Sequence, residues 1–309
     1  MIKVLFSARD GQFDEYAPHL RACFATHGLD ADLATDHAPE LVDYIIYAPS
    51  GPLRDFAPYT RCKAVLSLWA GVEKIVGNQS LTQPLCRMVD SGLTQGMVEW
   101  VTGHVLRHHL GMDRMITNPD RIWDDTPPPL AKTRRVGILG LGALGTGCAN
   151  ALRALGFAVS GWSRRAKQVN GVTCYHGPDG LHNMLRGSDM VVLLLPDTQA
   201  TENTLNAQTL ALLPRGAVII NPGRGPLIDD DALLQALNTG QIGHATLDVF
   251  RQEPLPHDHP YWAHPNVTIT PHIASATRAD TSSQVIAENI HRSENGQPLL
   301  HLVDRAAGY

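Results

Sequence analysis

The sequence predicts an α/β protein made of two parallel-sheet domains, and three observations carry that prediction. Short apolar runs alternate with longer stretches of helical period, the alternation breaks once and restarts, and a glycine-rich turn lies just past the restart, between a strand and a helix. At 309 residues the chain is long enough for each domain to bury its own core.

In the first part, "IKVLF", "YAPHLRACFATHG", "YIIYAP" and "KAVLSLWAG" keep a strand and helix rhythm that implies parallel strands with helical crossovers. Residues 97–110, "MVEWVTGHVLRHHL", read as one helix. Its Met97, Trp100, Val101, Val105 and Leu106 offer more apolar surface than one domain face obviously needs. The irregular "NPDRIWDDTPPPL" follows, and its three consecutive prolines exclude both helix and central strand. From Arg134 the alternation restarts with "RRVGILGLG", "FAVSGWS", "DMVVLLLP", "AVIINPG", "HATLDVF" and "VTITP", six strand candidates for a second, larger parallel sheet. Residues 276–296 read as a closing helix, and the last dozen as a tail returning to the first domain. The expected domains are therefore 1–95 completed by 281–309, and 96–280.

Composition narrows the partners. A net charge of -5 with no basic block argues against a nucleic-acid footprint or an anionic membrane surface. No apolar run approaches the roughly 20 residues that cross a bilayer. The opening "MIKVLFSARDG" is too short for a signal-peptide core, and the five cysteines are odd in number with no C-x-x-C pair, so a reducing cytoplasm is expected. Small molecules and copies of the chain itself are the expected partners.

Within "RRVGILGLGALGTGCANALRALG" stands Gly140-Leu141-Gly142-Ala143-Leu144-Gly145, entered by a strand at 136–139 and left by a helix at 146–155. In that context Gly140 makes the turn, Gly142 lets a pyrophosphate approach the backbone, and Gly145 lets helix and strand pack closely. The helix start supplies free N–H groups and a positive dipole end to the phosphates. The next strand, "FAVSGWSRR", selects the dinucleotide. Where a ribose-binding carboxylate is usual for NAD, this chain has Ser163, eighteen residues past Gly145, followed by Arg164 and Arg165. A hydroxyl and two guanidinium forks suit a 2′-phosphate, so NADPH is expected over NADH.

Later strand ends supply ionisable groups. "AVIINPGRGPLIDDDAL" sets Arg224 between two glycines after Pro222, which forbids a helix and permits a tight turn at the sheet rim. "HATLDVFRQEPL" gives Asp248 and Glu253, and "VTITPHIASATR" gives His272. Glu253 and His272 meet only if their strands are neighbours; a carboxylate in contact would favour the imidazolium and hold a proton ready. A proton donor, a cation that grips a carboxylate and a hydride carrier together suit the reduction of a 2-oxo acid.

These segments resemble the D-isomer-specific 2-hydroxyacid dehydrogenases over nearly the whole chain. "GILGLGALG", "LLPDTQATENTLN", "NPGRGPLIDDDALLQAL", "ATLDVFRQEPLP" and "PNVTITPHIASAT" fall in the family's order and spacing. "LDVFRQEPLPHDHPYWAHPNVTITPH" and the ending "VDRAAGY" are most similar to the branch that reduces glyoxylate and hydroxypyruvate with NADPH. The resemblance implies a flavodoxin-like substrate domain, a Rossmann dinucleotide-binding domain and a homodimer. It implies that Arg224 holds the substrate carboxylate and polarises C2, that His272 protonates the alkoxide, and that Glu253 orients His272. It implies further that Asp248 meets the nicotinamide carboxamide, that Leu195, Pro196 and Pro222 flank the cofactor, and that the N–H groups of Trp69, Ala70 and Gly71 receive the substrate carboxylate. Two departures stand out: Pro222, where many members carry a small residue, and Glu73 in "SLWAGVE", where the family often has Asp.

Two other readings compete. A dinucleotide-responsive binding or corepressor-like protein would need the fold and the cofactor without the catalytic residues, and a related dehydrogenase would take a different 2-oxo acid. No metal site is expected: His104 and His108 are an i, i+4 pair, but no glutamate follows the first histidine as in H-E-x-x-H, and "HDH" at 257–259 lies in a Pro-rich loop.

Overall fold

Side chains that alternate along neighbouring strands sort to opposite faces of a sheet, so a strand buried on both faces must be apolar at consecutive positions. Ile219 and Ile220 show this directly. Ile219 packs with Val191, Leu193 and Leu233, whereas Ile220 packs with Val136, Ile138 and Val192 in a separate core. The computed structural model describes residues 1–308; Tyr309, the last residue of the expected tail, lies outside the described residues. The chain forms two units, residues 1–93 with the chain from Ala276 onward, and Thr94–Ser275.

The first unit holds β1 (Ile2–Ser7), α1 (Gln12–Thr26), β2 (Ala31–Ala34), β3 (Tyr44–Tyr47), β4 (Ala64–Ser67) and β5 (Leu85–Cys86). Its sheet is parallel throughout, in the order β2-β1-β3-β4-β5, which is the flavodoxin-like order. Tyr16, Ala17, Leu20 and Phe24 recur at helical spacing on α1 and are buried against Val4, Phe6 and Ile46. The expected helix started at Tyr16; the observed one starts at Gln12 and carries Pro18 inside it.

The second unit follows with α2 (Ser91–His109), whose first three residues belong to the first unit, then α3 (Met112–Thr117), β6 (Arg135–Leu139), α4 (Ala143–Ala154), β7 (Ala158–Ser163), β8 (Thr173–His176), α5 (Gly177–Arg186), β9 (Met190–Leu193), α6 (Ala207–Leu210), β10 (Ala217–Asn221), α7 (Asp230–Asn238), β11 (Ile242–Leu247) and β12 (Val267–Ile269). Seven parallel strands run in the order β8-β7-β6-β9-β10-β11-β12, the doubly wound dinucleotide-binding order with one strand added. The strand added to that order is β12, whereas β8, which the six sequence candidates omit, is an edge strand with exposed ends and so gave no apolar run to read. The stripe on α2 is consumed inside its own unit: Met97, Val101 and Val105 are buried with Cys148, Leu152 and Val136, and Trp100 and Leu106 pack against them.

The last helix, α8 (Ala279–Glu294), belongs to the first unit, where Ile286, Ala287 and Ile290 join the core of α1. The tail pairs with β5 through the N–H of Val303 on the carbonyl of Leu85, 2.8 Å, and Val303 is buried.

Candidate active site

The strand order reverses between β6 and β9, and an open α/β sheet has its ligand crevice beyond the strand ends at such a point. Gly140 leaves β6 with φ 107°, a left-handed backbone that glycine adopts without penalty. A Cβ on Gly140 would stand 2.5 Å from the carbonyl oxygen of Leu194, so this turn and the Leu194–Leu195 turn after β9 sit back to back. At Gly145 a Cβ would overlap the Gly140 carbonyl oxygen, which is the close helix and strand packing expected of this glycine. At Gly142 a Cβ would meet nothing within 4 Å, so the backbone there faces open space. Helix α4 begins at Ala143, three residues earlier than expected, with Gly142 as its N-cap. Ala143 is exposed and Leu144 half-buried, and the first-turn N–H groups therefore belong to the motif itself. This cradle fits a dinucleotide pyrophosphate: a helix start facing open space with no side chain in the way.

Beyond β7, the hydroxyl of Ser163 donates to the carbonyl of Arg165 at 2.8 Å and closes a small loop, with Arg164 and Arg165 exposed. Sequence reasoning passed over Lys167. Its ammonium donates to the carbonyl of Leu141 at 2.6 Å, so a third cation stands at the glycine turn. The signal available was its place four residues beyond Ser163.

At the end of β10 the turn is built by a residue that sequence reasoning missed. Asn221 is 1% exposed; its Oδ1 accepts from the Gly223 N–H at 3.1 Å and its Nδ2 donates to the Arg224 carbonyl at 2.9 Å. Arg224 itself is extended (φ -148°, ψ 145°), and its Nη1 donates to the Gly223 carbonyl at 2.7 Å. The flanking glycines serve contact rather than turn conformation, since neither has a positive φ. A Cβ at 223 would press on the Leu193 carbonyl oxygen at 2.7 Å, and one at 225 would overlap the Phe250 and Arg251 backbone. Pro222 and Leu195 are buried, and Pro196, next to Leu195, is half-buried.

β11 and β12 are parallel neighbours, with Leu247 opposite Ile269, so their following loops emerge side by side. His272 and Glu253 accordingly touch: Nδ1 lies 2.8 Å from Oε2, with the imidazole 48% and the carboxylate 35% exposed. The other carboxylate oxygen accepts from the Phe250 N–H at 2.9 Å, which holds Glu253 in place. His272 adopts φ 53°, uncommon for a residue with a Cβ, and its N–H donates to the Asp248 carbonyl at 2.8 Å. Asp248 is completely buried. Its carboxylate accepts from the Thr270 hydroxyl at 2.5 Å and from the N–H groups of Ile273 and Ala274, each at 2.9 Å. The expected contact of Asp248 with a nicotinamide carboxamide finds no exposed surface on it here. What the structure assigns to Asp248 is the positioning of the His272 loop.

In the first unit, Trp69, Ala70 and Gly71 follow β4. The Trp69 N–H donates to Ser67 Oγ at 3.0 Å, so the expected set of three carboxylate-binding N–H groups loses this one to its own loop. The Lys74 ammonium lies over the Trp69 ring, 5.7 Å from its centre.

A glycine cradle at the switch point and an ionisable cluster at the ends of three adjacent strands are the arrangement of a dinucleotide-dependent oxidoreductase. The chain belongs to the D-isomer specific 2-hydroxyacid dehydrogenase family, whose NAD-binding domain matches residues 103–274. Glyoxylate/hydroxypyruvate reductase A of Serratia proteamaculans is 41% identical over 257 residues, 81% of this chain and 82% of that one. A D-isomer specific 2-hydroxyacid dehydrogenase from Xanthobacter autotrophicus, solved in complex with NADPH and MES, has a TM-score of 0.93 at 40% identity and covers 100% of this chain and 99% of its own. The NADPH-dependent glyoxylate/hydroxypyruvate reductase of Sinorhizobium meliloti, solved with NADP and sulfate, has a TM-score of 0.87 at 34% identity over 100% of both chains.

The close approach at residue 225 makes a direct prediction. Gly225→Ala should push the Arg224 turn off the Phe250–Arg251 backbone, lowering stability by about 1–3 kcal/mol and kcat/KM by about a hundredfold through misplacement of Arg224. Thermal melts and steady-state kinetics read both effects, and a variant with wild-type values in each would disprove this account of the turn.

Proposed function

We propose that this protein reduces small 2-oxo acids, glyoxylate to glycolate and hydroxypyruvate to glycerate, with NADPH as reductant. The observation that carries the reading is the His272 and Glu253 pair at 2.8 Å, on strand ends next to the one that bears Arg224. The curated relative from Serratia is named for these two substrates, and the Xanthobacter and Sinorhizobium structures hold NADPH or NADP.

When bound, NADPH supplies a hydride to C2 of the substrate. The protein's own groups handle the charge that results. Reduction turns a neutral carbonyl into an alkoxide, so groups whose interaction strengthens as that charge develops contribute most to rate. Arg224 grips the substrate carboxylate and draws charge toward C2. His272 delivers a proton to the C2 oxygen from Nε2, the ring nitrogen turned away from Glu253. Glu253, held by the Phe250 N–H, fixes the ring and stabilises its protonated form. Asp248 acts one step back by anchoring the loop on which His272 sits. Ser163, Arg164, Arg165 and Lys167 are proposed as the group that receives the 2′-phosphate.

A corepressor-like role needs no such pair, and an assay with glyoxylate and NADPH decides between the two. We also assign the protein to the cytoplasm, in keeping with five unpaired cysteines, of which burial pushes Cys62, Cys86 and Cys148 up to about 12 and leaves them unreactive. A homodimer is the proposed assembly. Met115, Ile116, Ile122, Trp123 and Leu130 are exposed in the segment around the Pro-rich run, and Trp123 is 93% exposed.

His272→Gln should bind NADPH as the wild type does while kcat falls by about a hundredfold to ten-thousandfold; a variant that turns over normally would remove His272 from the proton step. Ser163→Asp places a carboxylate where a 2′-phosphate would come, so the NADPH to NADH preference should drop by about ten- to hundredfold, the worth of one charge-assisted hydrogen bond. Unchanged selectivity would show that another element reads the phosphate. Sedimentation velocity should find a dimer in the wild type and a monomer in Trp123→Asp, and a monomeric wild type would refute the assembly.

A further inference from the structure

We propose that His108, Asp113 and His244 form a binding site for a divalent transition-metal ion such as Zn²⁺, separate from the catalytic loops. His108 lies in the last turn of α2, Asp113 in the first turn of α3, and His244 near the start of β11, away from the strand end that leads to Glu253. Gly111 joins the two helices with φ 63°, and the reversal it permits brings Asp113 back beside His108. One nitrogen from each imidazole and one carboxylate oxygen all lie within 4.8 Å of one another. Donors around a tetrahedral zinc ion stand about 3.3 Å apart, so side-chain rotation of about an ångström closes the set.

The surroundings orient these ligands as the outer partners of a metal site do. His108 Nε2 is 2.8 Å from the Thr246 hydroxyl, and His244 Nε2 is 2.9 Å from the Thr268 hydroxyl. The Arg107 guanidinium donates to Asp113 Oδ1 at 2.7 Å and holds that carboxylate in place. The two rings are 4.7 Å apart at their centres. His104, one turn earlier on α2, keeps a buried Nδ1 without a hydrogen-bond partner. Two imidazoles and one carboxylate suit zinc, cobalt or nickel; calcium and magnesium prefer sites made of oxygen. The expectation of no metal rested on pairing His108 with His104, whereas the second imidazole comes from a strand 136 positions on.

The site is tested on untagged, chelator-stripped full-length protein by equilibrium dialysis against Zn²⁺, with the visible absorption of bound Co²⁺ as a second readout. One Zn²⁺ per chain is expected, together with a higher unfolding temperature. His244→Gln and Asp113→Asn should each weaken binding by at least about tenfold and abolish the thermal shift, whereas His257→Gln, in the Pro-rich loop, should leave both unchanged. Asp113 is 41% exposed, so its variant keeps the fold. Failure of the folded wild type to take up stoichiometric Zn²⁺, or equal uptake by His244→Gln, overturns the proposal; neither result bears on NADPH-dependent turnover.

Discussion

The backbone of Gly225 lies against the Phe250–Arg251 backbone so closely that no side chain fits between them. That contact joins the end of β10 to the loop after β11, and it does so one residue from Arg224 and two or three residues from Glu253. On the other side Gly223 abuts the Leu193 carbonyl at the end of β9. Arg224 is thereby held extended between two fixed backbone contacts, while Asn221 closes the turn beneath it with two hydrogen bonds. With its backbone seated and its guanidinium already donating to the Gly223 carbonyl, Arg224 has less freedom left to lose when a ligand arrives.

The histidine is seated with equal care by different means. A buried carboxylate is costly unless donors surround it. Asp248 has three, all from the segment 270–274, and in satisfying its own charge it draws that segment onto the end of β11. His272 is left in an uncommon left-handed conformation, with its ring on Glu253 and its N–H on the Asp248 carbonyl. Uncommon backbone conformations persist where the surroundings over-determine them. Here the pairing of β11 with β12 and the Asp248 contacts do so.

Helix α2 shows how one element serves two ends. Its middle buries Met97, Val101 and Val105 in the core shared with β6 and α4, and its final turn carries His108 to the edge of β11. The apolar stripe was visible in the sequence, but its destination was not. Periodicity reports that a helix has an apolar face and says nothing of which surface covers it. The same limit applies to the histidines: His104 and His108 are related by helical spacing, whereas the contact of His108 with His244 depends on how a helix lies across a sheet.

By itself the sequence determined the α/β class, the parallel strands, the glycine turn, and the placement of Arg224, Glu253 and His272 just past strand ends, because each is written in local pattern: runs of β-branched residues, glycines at fixed spacing, and ionisable groups next to apolar runs. Strands β2 and β8 escaped it because "ADLA" and "TCYH" are edge strands without an apolar run, and β5 because two residues make no pattern. Tertiary structure alone decided that the glycines around Arg224 answer to neighbouring backbone, that Asp248 is buried beneath the His272 loop, and that Lys167 reaches the glycine turn. Each of these is a contact between residues brought together by chain packing. The free energy of such a contact depends on distance and burial, which no local stretch of sequence encodes.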